Sequence, residues 1–447
     1  MPGVRRECPA FKGAAKPTSV ISRLSRDSRL VRDVSSFSFV HAADLHLGSP
    51  LTGLALRDPE IARRFGEATR TALSTLVSRT IEAEAAFMVI AGDVYDGEWR
   101  DNSVGLFFAR EMARLERAGI PVFILRGNHD AESVVTRAVT LPDNVTSFGT
   151  RRPETHTLDD LRVALHGQSF PDRQVGENLA AAYPAPVPGH FNIGVLHTSL
   201  TGRPPHADYA PCSLADLAAR GYGYWALGHV HAFEVVSEDP PVVFPGNIQG
   251  RSIRETGAKG AVLVTVTDGE VSGIERMIVD EARWARVEIA AGGADDLAGL
   301  VAMAREALRP HVAAAEGRPL ALRVRLSGES PLHGWALANR ALLIDEMQNA
   351  CHQADAEAWL EKLELDLAPP AEARPLASLD ASLDLAALLA EAANDSHFRE
   401  EAAGQIGLLV NKLPAGLVDP AAPFGEELDT LVAEARALLA ERIAEGS

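Results

Sequence analysis

Phe87-Met88-Val89-Ile90-Ala91-Gly92-Asp93-Val94-Tyr95-Asp96 joins two signals, a short apolar run and a glycine followed by two carboxylates. The run is too short for a helix and is rich in strand-forming residues, so it predicts a buried strand that stops at Gly92. A carboxylate just past such a strand stands at the sheet's carboxyl edge, where open α/β sheets hold their ligands. The same arrangement recurs on both sides. Phe39 to Ala43 leads into Asp44-Leu45-His46, and Val122 to Leu125 leads into Gly127-Asn128-His129-Asp130. Helical spacing fills the gaps, from Pro59 to Ala85 and from Val104 to Ala118. This β-α-β-α-β rhythm predicts a largely parallel sheet with helices outside. Ile193 to Leu196, Tyr224 to Leu227, Val242 to Phe244 and Ala261 to Val266 predict a second sheet stacked on the first. The expected fold class is therefore α/β, two stacked mixed β-sheets flanked by helices.

Two more clusters end predicted strands, His197 and Gly228-His229-Val230-His231. Side chains at i and i+2 of a strand share a face, so Asp44 and His46 can grip one ion together. A carboxylate has two oxygens, and Asp93 can bridge two ions. Asn128 offers a neutral oxygen and His197 an imidazole, while His229 and His231 can face different ions. Mixed Asp, Asn and His without thiolate favours Mn²⁺ on ligand hardness, with Fe or Zn²⁺ as alternatives. Two such ions activate water and neutralise charge on a phosphoryl group, which makes phosphate-ester hydrolysis the expected chemistry. His129 is placed to protonate the leaving oxygen, and Asp130 is expected to orient its ring. His41 reads as a buried, hydrogen-bonded histidine, and His156, His166 and His190 as loop or strand-edge residues. Arg126 is either structural or a phosphate contact.

Beyond the site, Trp284 to Ile289, Leu320 to Leu326 and Trp359 to Leu367 read as strands. Helices are expected between them, over Asp295 to Leu308 and Trp335 to His352, giving a second small module. Pro369-Pro370 marks a linker into an Ala/Leu/Glu-rich helical region. Its last helix carries a stripe of Leu428, Leu431, Val432, Ala435, Leu438, Leu439 and Ile443, which reads as packing on its own domain. The expected divisions are 1–36, a disordered extension; 37–280, the metal-site domain; 281–368, the small module; and 369–447, the helical region.

The 447 residues carry a net charge of −18. It is unevenly spread: +5 over residues 1–35, −9 over 36–280 and −14 over 281–447. The acidity lies mostly away from the chemistry, and two divalent ions offset part of it at the site. A general basic DNA binder is nonetheless excluded. No apolar run reaches the ~20 residues needed to cross a membrane. Cys8, Cys212 and Cys351 are scattered. That argues for a reducing, cytoplasmic setting and against disulfides or a zinc-thiolate site.

In order and spacing, D-x-H at Asp44, G-D-x-x-D at Gly92, G-N-H-D at Gly127, His197 and G-H-x-H at Gly228 resemble the calcineurin-like metallophosphoesterases. The resemblance implies one ion held by Asp44, His46, Asp93 and His231, and another by Asp93, Asn128, His197 and His229. It implies that His129 assists the leaving group. Pro245-Gly246-Asn247-Ile248-Gln249, with Arg251, Glu255, Lys259 and Gly260, looks like the SbcD group of DNA repair nucleases in its YhaO branch. That implies a capping domain at 281–368, action on DNA ends and a coiled-coil ATPase partner of the SbcC type docked through C-terminal helices; with so acidic a C-terminal third, the grip on DNA is expected from a basic partner or from a homodimer. A histidine that sets exonuclease activity in archaeal and eukaryotic relatives is replaced here by Asp96, so that role does not carry over. A small-molecule or cyclic-nucleotide phosphodiesterase would use the same ligands and is the alternative expectation. Protein phosphatases resemble G-D-x-V-D-R-G and G-N-H-E, which this chain lacks.

Overall fold

The structure is a computed structural model that describes residues 36–49, 59–96, 102–132, 139–201, 209–370 and 391–410, with isolated positions 432, 435 and 439. Of the N-terminal extension expected over 1–36, residues 1–35 lie outside the described residues and Ser36 is already in a strand; of the C-terminal stripe, Leu428, Leu431, Leu438 and Ile443 lie outside them, while Ala435 and Leu439 are exposed, against the expected packing.

The first sheet is built from β1 (Ser36–Ala42), β2 (Phe87–Ala91), β3 (Val122–Leu125) and β4 (Val145–Ser147), all parallel. Helices α1 (Pro59–Glu82) and α2 (Asn102–Arg117) make the first two crossovers. α3 (Asn128–Glu132) follows β3 as a single short turn. The second sheet takes β5 (Glu154–Leu158), β6 (Val163–Gly167), β7 (Phe191–His197), β8 (Tyr224–Gly228), β9 (Glu234–Glu238) and β10 (Pro241–Phe244) in the order β5-β6-β7-β8-β10-β9. β6, β7, β8 and β10 run parallel, with an antiparallel strand at each edge.

One sequence expectation is corrected. β11 (Gly260–Thr267) joins the first sheet, antiparallel to β1, and carries β12 (Glu270–Ile278) outside it. Its alternating burial suits either sheet, and only pairing with a strand more than 200 residues earlier assigns it.

Strand periodicity sorts the core. From β2, Phe87, Val89 and Ala91 point between the sheets, where they meet Val163, Ile193, Val195 and Tyr224. Phe39 stacks on Phe87 with centroids 4.9 Å apart and meets Tyr224 edge-on at 5.4 Å. Met88 and Ile90 point the other way, onto Leu73, Leu76 and Val77 of α1 and Phe108 and Met112 of α2. Because strands buried on both faces have no solvent side, their sequences are continuous apolar runs.

A third sheet of three parallel strands follows: β13 (Arg283–Ala290), β14 (Leu320–Glu329) and β15 (Ala358–Ala368). Two helices, Leu297–Ala315 and Arg340–Ala354, cover one face with Leu300, Leu308, Leu343 and Met347. The helix expected from Trp335 breaks at Asn339, whose backbone N–H and side-chain amide both donate to Trp335 O, at 2.9 and 3.0 Å. At the joint with the larger body, Trp284 Nε1 donates to Gly250 O at 3.0 Å, and its ring packs with Ile61, Phe65 and Ile253.

Candidate metal centre

Every expected ligand stands at the carboxyl end of a parallel strand: Asp44 and His46 after β1, Asp93 after β2, Asn128 after β3, His197 closing β7, and His229 and His231 after β8. The backbone turns sharply there. Asp44, His46, Asp93 and His229 have φ of 52°, 46°, 52° and 103°, a region that costs L-residues on the order of 1–3 kcal/mol each. Cross-links between the loops hold it. Asp44 N donates to Gly92 O at 3.0 Å, His46 N to Asp93 O at 3.0 Å and Leu47 N to Val94 O at 2.9 Å. Two glycines allow the close approach. A Cβ on Gly127 would stand 2.3 Å from Asp93 Oδ1, and one on Gly228 only 1.9 Å from Ala91 O.

The donor atoms converge. His197 Nδ1 donates to Ala91 O at 2.9 Å, so Nε2 is the nitrogen turned inward, 3.0 Å from Asn128 Oδ1 and 3.4 Å from Asp93 Oδ2. His46 Nε2 stands 3.0 Å from His231 Nε2 and 3.9 Å from Asp93 Oδ2. Ligand atoms of Asp44, His46 and His231 lie within 4.8 Å of one another, and so do those of Asp44, Asp93 and His197. His229 donates its backbone N–H to both oxygens of Asp44 at 3.1 and 3.0 Å, and its ring sits 5.2 Å from that of His197.

Asp44, His46, Asp93 and His197 are buried to 1% exposure or less. Burial raises the Asp44 pKa, and it drives His46 well below the usual imidazole value. For His197 burial works the same way, but the Asp93 carboxylate overcomes it and pushes the ring up to about 9. Two buried carboxylates facing inward imidazole nitrogens form a site that a divalent cation fits, since unpaired buried charge is otherwise costly.

His129 is half-buried and lies beside the ligands. Asp93 Oδ1 accepts its backbone N–H at 3.0 Å. Its ring orientation corrects the sequence reading. Asp130 does not touch the ring; its oxygens accept from Val94 N at 3.1 Å, Tyr95 N at 2.9 Å and Gly127 N at 3.1 Å. As part of α3, Asp130 faces back into the protein and ties the second and third motifs together. Asp96 takes the orienting place, with Oδ1 2.9 Å from His129 Nδ1. That hydrogen bond raises the His129 pKa, although burial opposes it.

The Asp96 and Glu255 carboxylates are both held well below the usual range. Burial alone would raise them, but His129 and His46 act on Asp96, and His231 and Arg251 act on Glu255. Glu255 Oε1 stands 2.7 Å from His231 Nδ1 and so turns His231 Nε2 toward His46. Arg251 and Glu255 belong to the family-like stretch, and Asp96 closes the second motif, yet none was assigned to the site from sequence. Arg251 and Glu255 are four apart, but no local spacing links either to Asp96.

A cavity of about 600 Å³ opens on the centre. Asp93, Asn128, His129, His229 and His231 floor it, and Arg173, Tyr209, Arg254 and Lys259 stand along its walls. None of the described lining residues comes from the three-stranded sheet. His41 lies apart as expected, buried, with Nδ1 3.0 Å from Tyr224 Oη and Nε2 3.0 Å from Leu227 O. His166, expected at an edge, is instead fully buried in β6 between Thr155 and Asn192 and stacked on Tyr222. Arg126 lines a separate small cavity with Tyr95 and Asp130.

Family models match at two places, "Calcineurin-like phosphoesterase" over residues 37–233 and "Metallophosphoesterase YhaO, middle domain" over residues 284–368. The chain is 33% identical over 328 residues to "Uncharacterized metallophosphoesterase YhaO" of Bacillus subtilis, covering 72% of this chain and 79% of that protein. It is 27% identical over 227 residues to "DNA double-strand break repair protein Mre11" of Methanopyrus kandleri, covering 46% of this chain and 48% of that one. Among solved structures, a dimetal phosphatase from Danio rerio matches at 14% identity and a TM-score of 0.33, covering 55% of this chain and 98% of that one.

Proposed function

The chain belongs to the calcineurin-like metallophosphoesterases, in their YhaO branch, and from that premise we propose that it is a two-metal phosphodiesterase that trims DNA ends. The observation that carries the reading is that donor atoms of Asp44, His46 and His231, and of Asp44, Asp93 and His197, lie within 4.8 Å of one another, while Asp93, Asn128, His229 and His231 line one cavity with His129. Asp44, His46, Asp93 and His231 would hold one divalent ion, and Asp93, Asn128, His197 and His229 the other. The donors are nitrogen and oxygen only, which suits Mn²⁺. Bound ions supply positive charge for the phosphoryl oxygens and acidify a water.

The chain's own residues do the remaining work. Asp96 accepts from Nδ1 of His129, so Nε2 is the nitrogen left for substrate. As the water oxygen forms its bond to phosphorus, the bond to the leaving oxygen breaks with its electron pair on that oxygen. His129 passes a proton to it, and the protons of the water reach solvent, from which His129 is recharged. Arg173 and Arg254 on the cavity walls offer positive charge to phosphates flanking the scissile bond, and Lys259, whose Nζ donates to His231 O at 2.9 Å, adds its charge from a buried position.

DNA as substrate is supported by the repair role printed for the Methanopyrus relative and by a centre that the three-stranded sheet does not roof. In this reading 37–280 is the nuclease body and 281–368 a cap beside it. The 369–447 region docks a coiled-coil ATPase of the SbcC type, in the cytoplasm and as a homodimer. Among the described residues, no helix is long and apolar enough to cross a membrane. The partner or dimerisation supplies the grip that a chain of charge −18 lacks. Purified protein incubated with Mn²⁺ and end-labelled duplex DNA, with and without the ATPase, should shorten the DNA from its ends. Intact DNA under both conditions, beside turnover of a small diester, would refute the nuclease assignment.

The cavity volume favours one second reading. About 600 Å³ is in the range of small-molecule pockets, so a nucleotide diester is the alternative substrate.

A further inference from the structure

A single guanidinium joins the two sides of the site. Arg251 Nη1 donates to Asp96 Oδ2 at 2.8 Å, and Nη2 donates to Glu255 Oε1 at 2.9 Å. Asp96 holds His129 through its other oxygen at 2.9 Å, and Glu255 holds His231 at 2.7 Å. The order is therefore His129, Asp96, Arg251, Glu255, His231, a continuous hydrogen-bonded chain from the proton donor to a metal-binding imidazole. Each middle member is largely buried, with side-chain exposures of 14%, 21% and 11% for Asp96, Arg251 and Glu255. Asn247 Nδ2 steadies Glu255 at 2.8 Å. Arg251 is absent from the cavity lining, so it acts through its neighbours. Its charge also explains a third cluster, His46, Asp96 and His129, whose ligand atoms lie within 4.8 Å of one another. In that cluster Asp96 already carries the guanidinium at 2.8 Å.

We propose that Arg251 is a positioning residue that sets the proton donor and the metal-binding histidine together, on the reading of the site as a phosphodiesterase. A planar fork reaches two carboxylates at fixed angles, and a lysine ammonium is a point charge that cannot. Removing Arg251 therefore gives two separable defects, one on each side.

The test compares Arg251→Ala and Arg251→Lys with Asp96→Asn and Glu255→Gln. Each variant is assayed with Mn²⁺ on bis(4-nitrophenyl) phosphate, whose leaving phenolate needs little protonation, and on thymidylyl-thymidine, whose leaving alkoxide needs much. Mn²⁺ binding is read separately by calorimetry. Arg251→Ala should lose about 10²-fold in kcat on the dinucleotide and less than about tenfold on the aryl ester. It should also weaken Mn²⁺ binding about tenfold. Asp96→Asn should reproduce only the first defect and Glu255→Gln only the second. Millimolar guanidinium should restore Arg251→Ala, and Arg251→Lys should remain impaired. Equal losses on both substrates, unchanged Mn²⁺ affinity, or a lysine variant like wild type would overturn the proposal. Should the alanine variant fail to fold, Arg251→Gln takes its place with the same expected outcomes. A wild type that turns over neither substrate overturns the hydrolase reading instead, and the calorimetry then judges Arg251 alone.

Discussion

Oδ1 of Asp96 stands 2.9 Å from Nδ1 of His129, while the carboxylate of Asp130, next to His129 in sequence, faces three backbone amides. The residue nearest in the chain is the structural one, and the residue 33 positions away acts on the ring. The short turn of α3 causes this, because it projects successive side chains about 100° apart.

Asp96→Asn should therefore cut kcat on a dinucleotide by about 10–10²-fold, because a neutral amide no longer stabilises the charged ring. Mn²⁺ content should stay at the wild-type level. Steady-state kinetics with metal analysis check this, and an unchanged kcat would remove Asp96 from the mechanism.

Asp130→Ala should act on stability. It leaves the N–H groups of Val94, Tyr95 and Gly127 without their acceptor in a buried setting, at a cost of about 1–3 kcal/mol for each group that water cannot reach. A urea titration should show a much lower midpoint than for His129→Ala, whose side chain is partly exposed. Equal midpoints would contradict the structural role.

His41 makes stability depend on pH. Burial lowers its pKa from 6.5 to about 3. Between those values the unfolded chain binds a proton that the folded chain refuses, so stability is complete above pH 6.5 and falls as pH drops toward 3. The full effect is on the order of 5 kcal/mol. Urea midpoints measured at pH 7 and pH 4.5 in chelator should fall less for His41→Gln than for wild type. Equal falls would show that His41 is not the group.

Chelation should also lower the melting temperature, and saturating Mn²⁺ should restore it. An ion at 100 times its Kd stabilises the folded chain by about 2.7 kcal/mol. Scanning calorimetry with and without chelator measures the shift, and no shift would argue against ions bound to the folded state.

How much of this was readable in the chain depends on range. β1, β2, β3, β7 and β8 are legible because strands buried on both faces are largely apolar runs, and glycine marks the ends of β2, β3 and β8. β5, Glu-Thr-His-Thr-Leu, is not, because it is a polar edge strand with alternating exposure. β11 reads as a strand, but its pattern is silent about its partner and therefore about its sheet. The seven proposed ligand positions stand out in the chain because each motif sits at a strand end. The Asp96–Arg251–Glu255 connection does not, because it joins residues 155 apart through side chains alone.

The most direct measurement is anomalous scattering at the manganese edge from Mn²⁺-loaded crystals. Two peaks are expected, one against Asp44, His46 and His231 and one against Asn128, His197 and His229, with Asp93 touching both. A flat map at these side chains under saturating Mn²⁺, or peaks elsewhere in the molecule, would contradict the account.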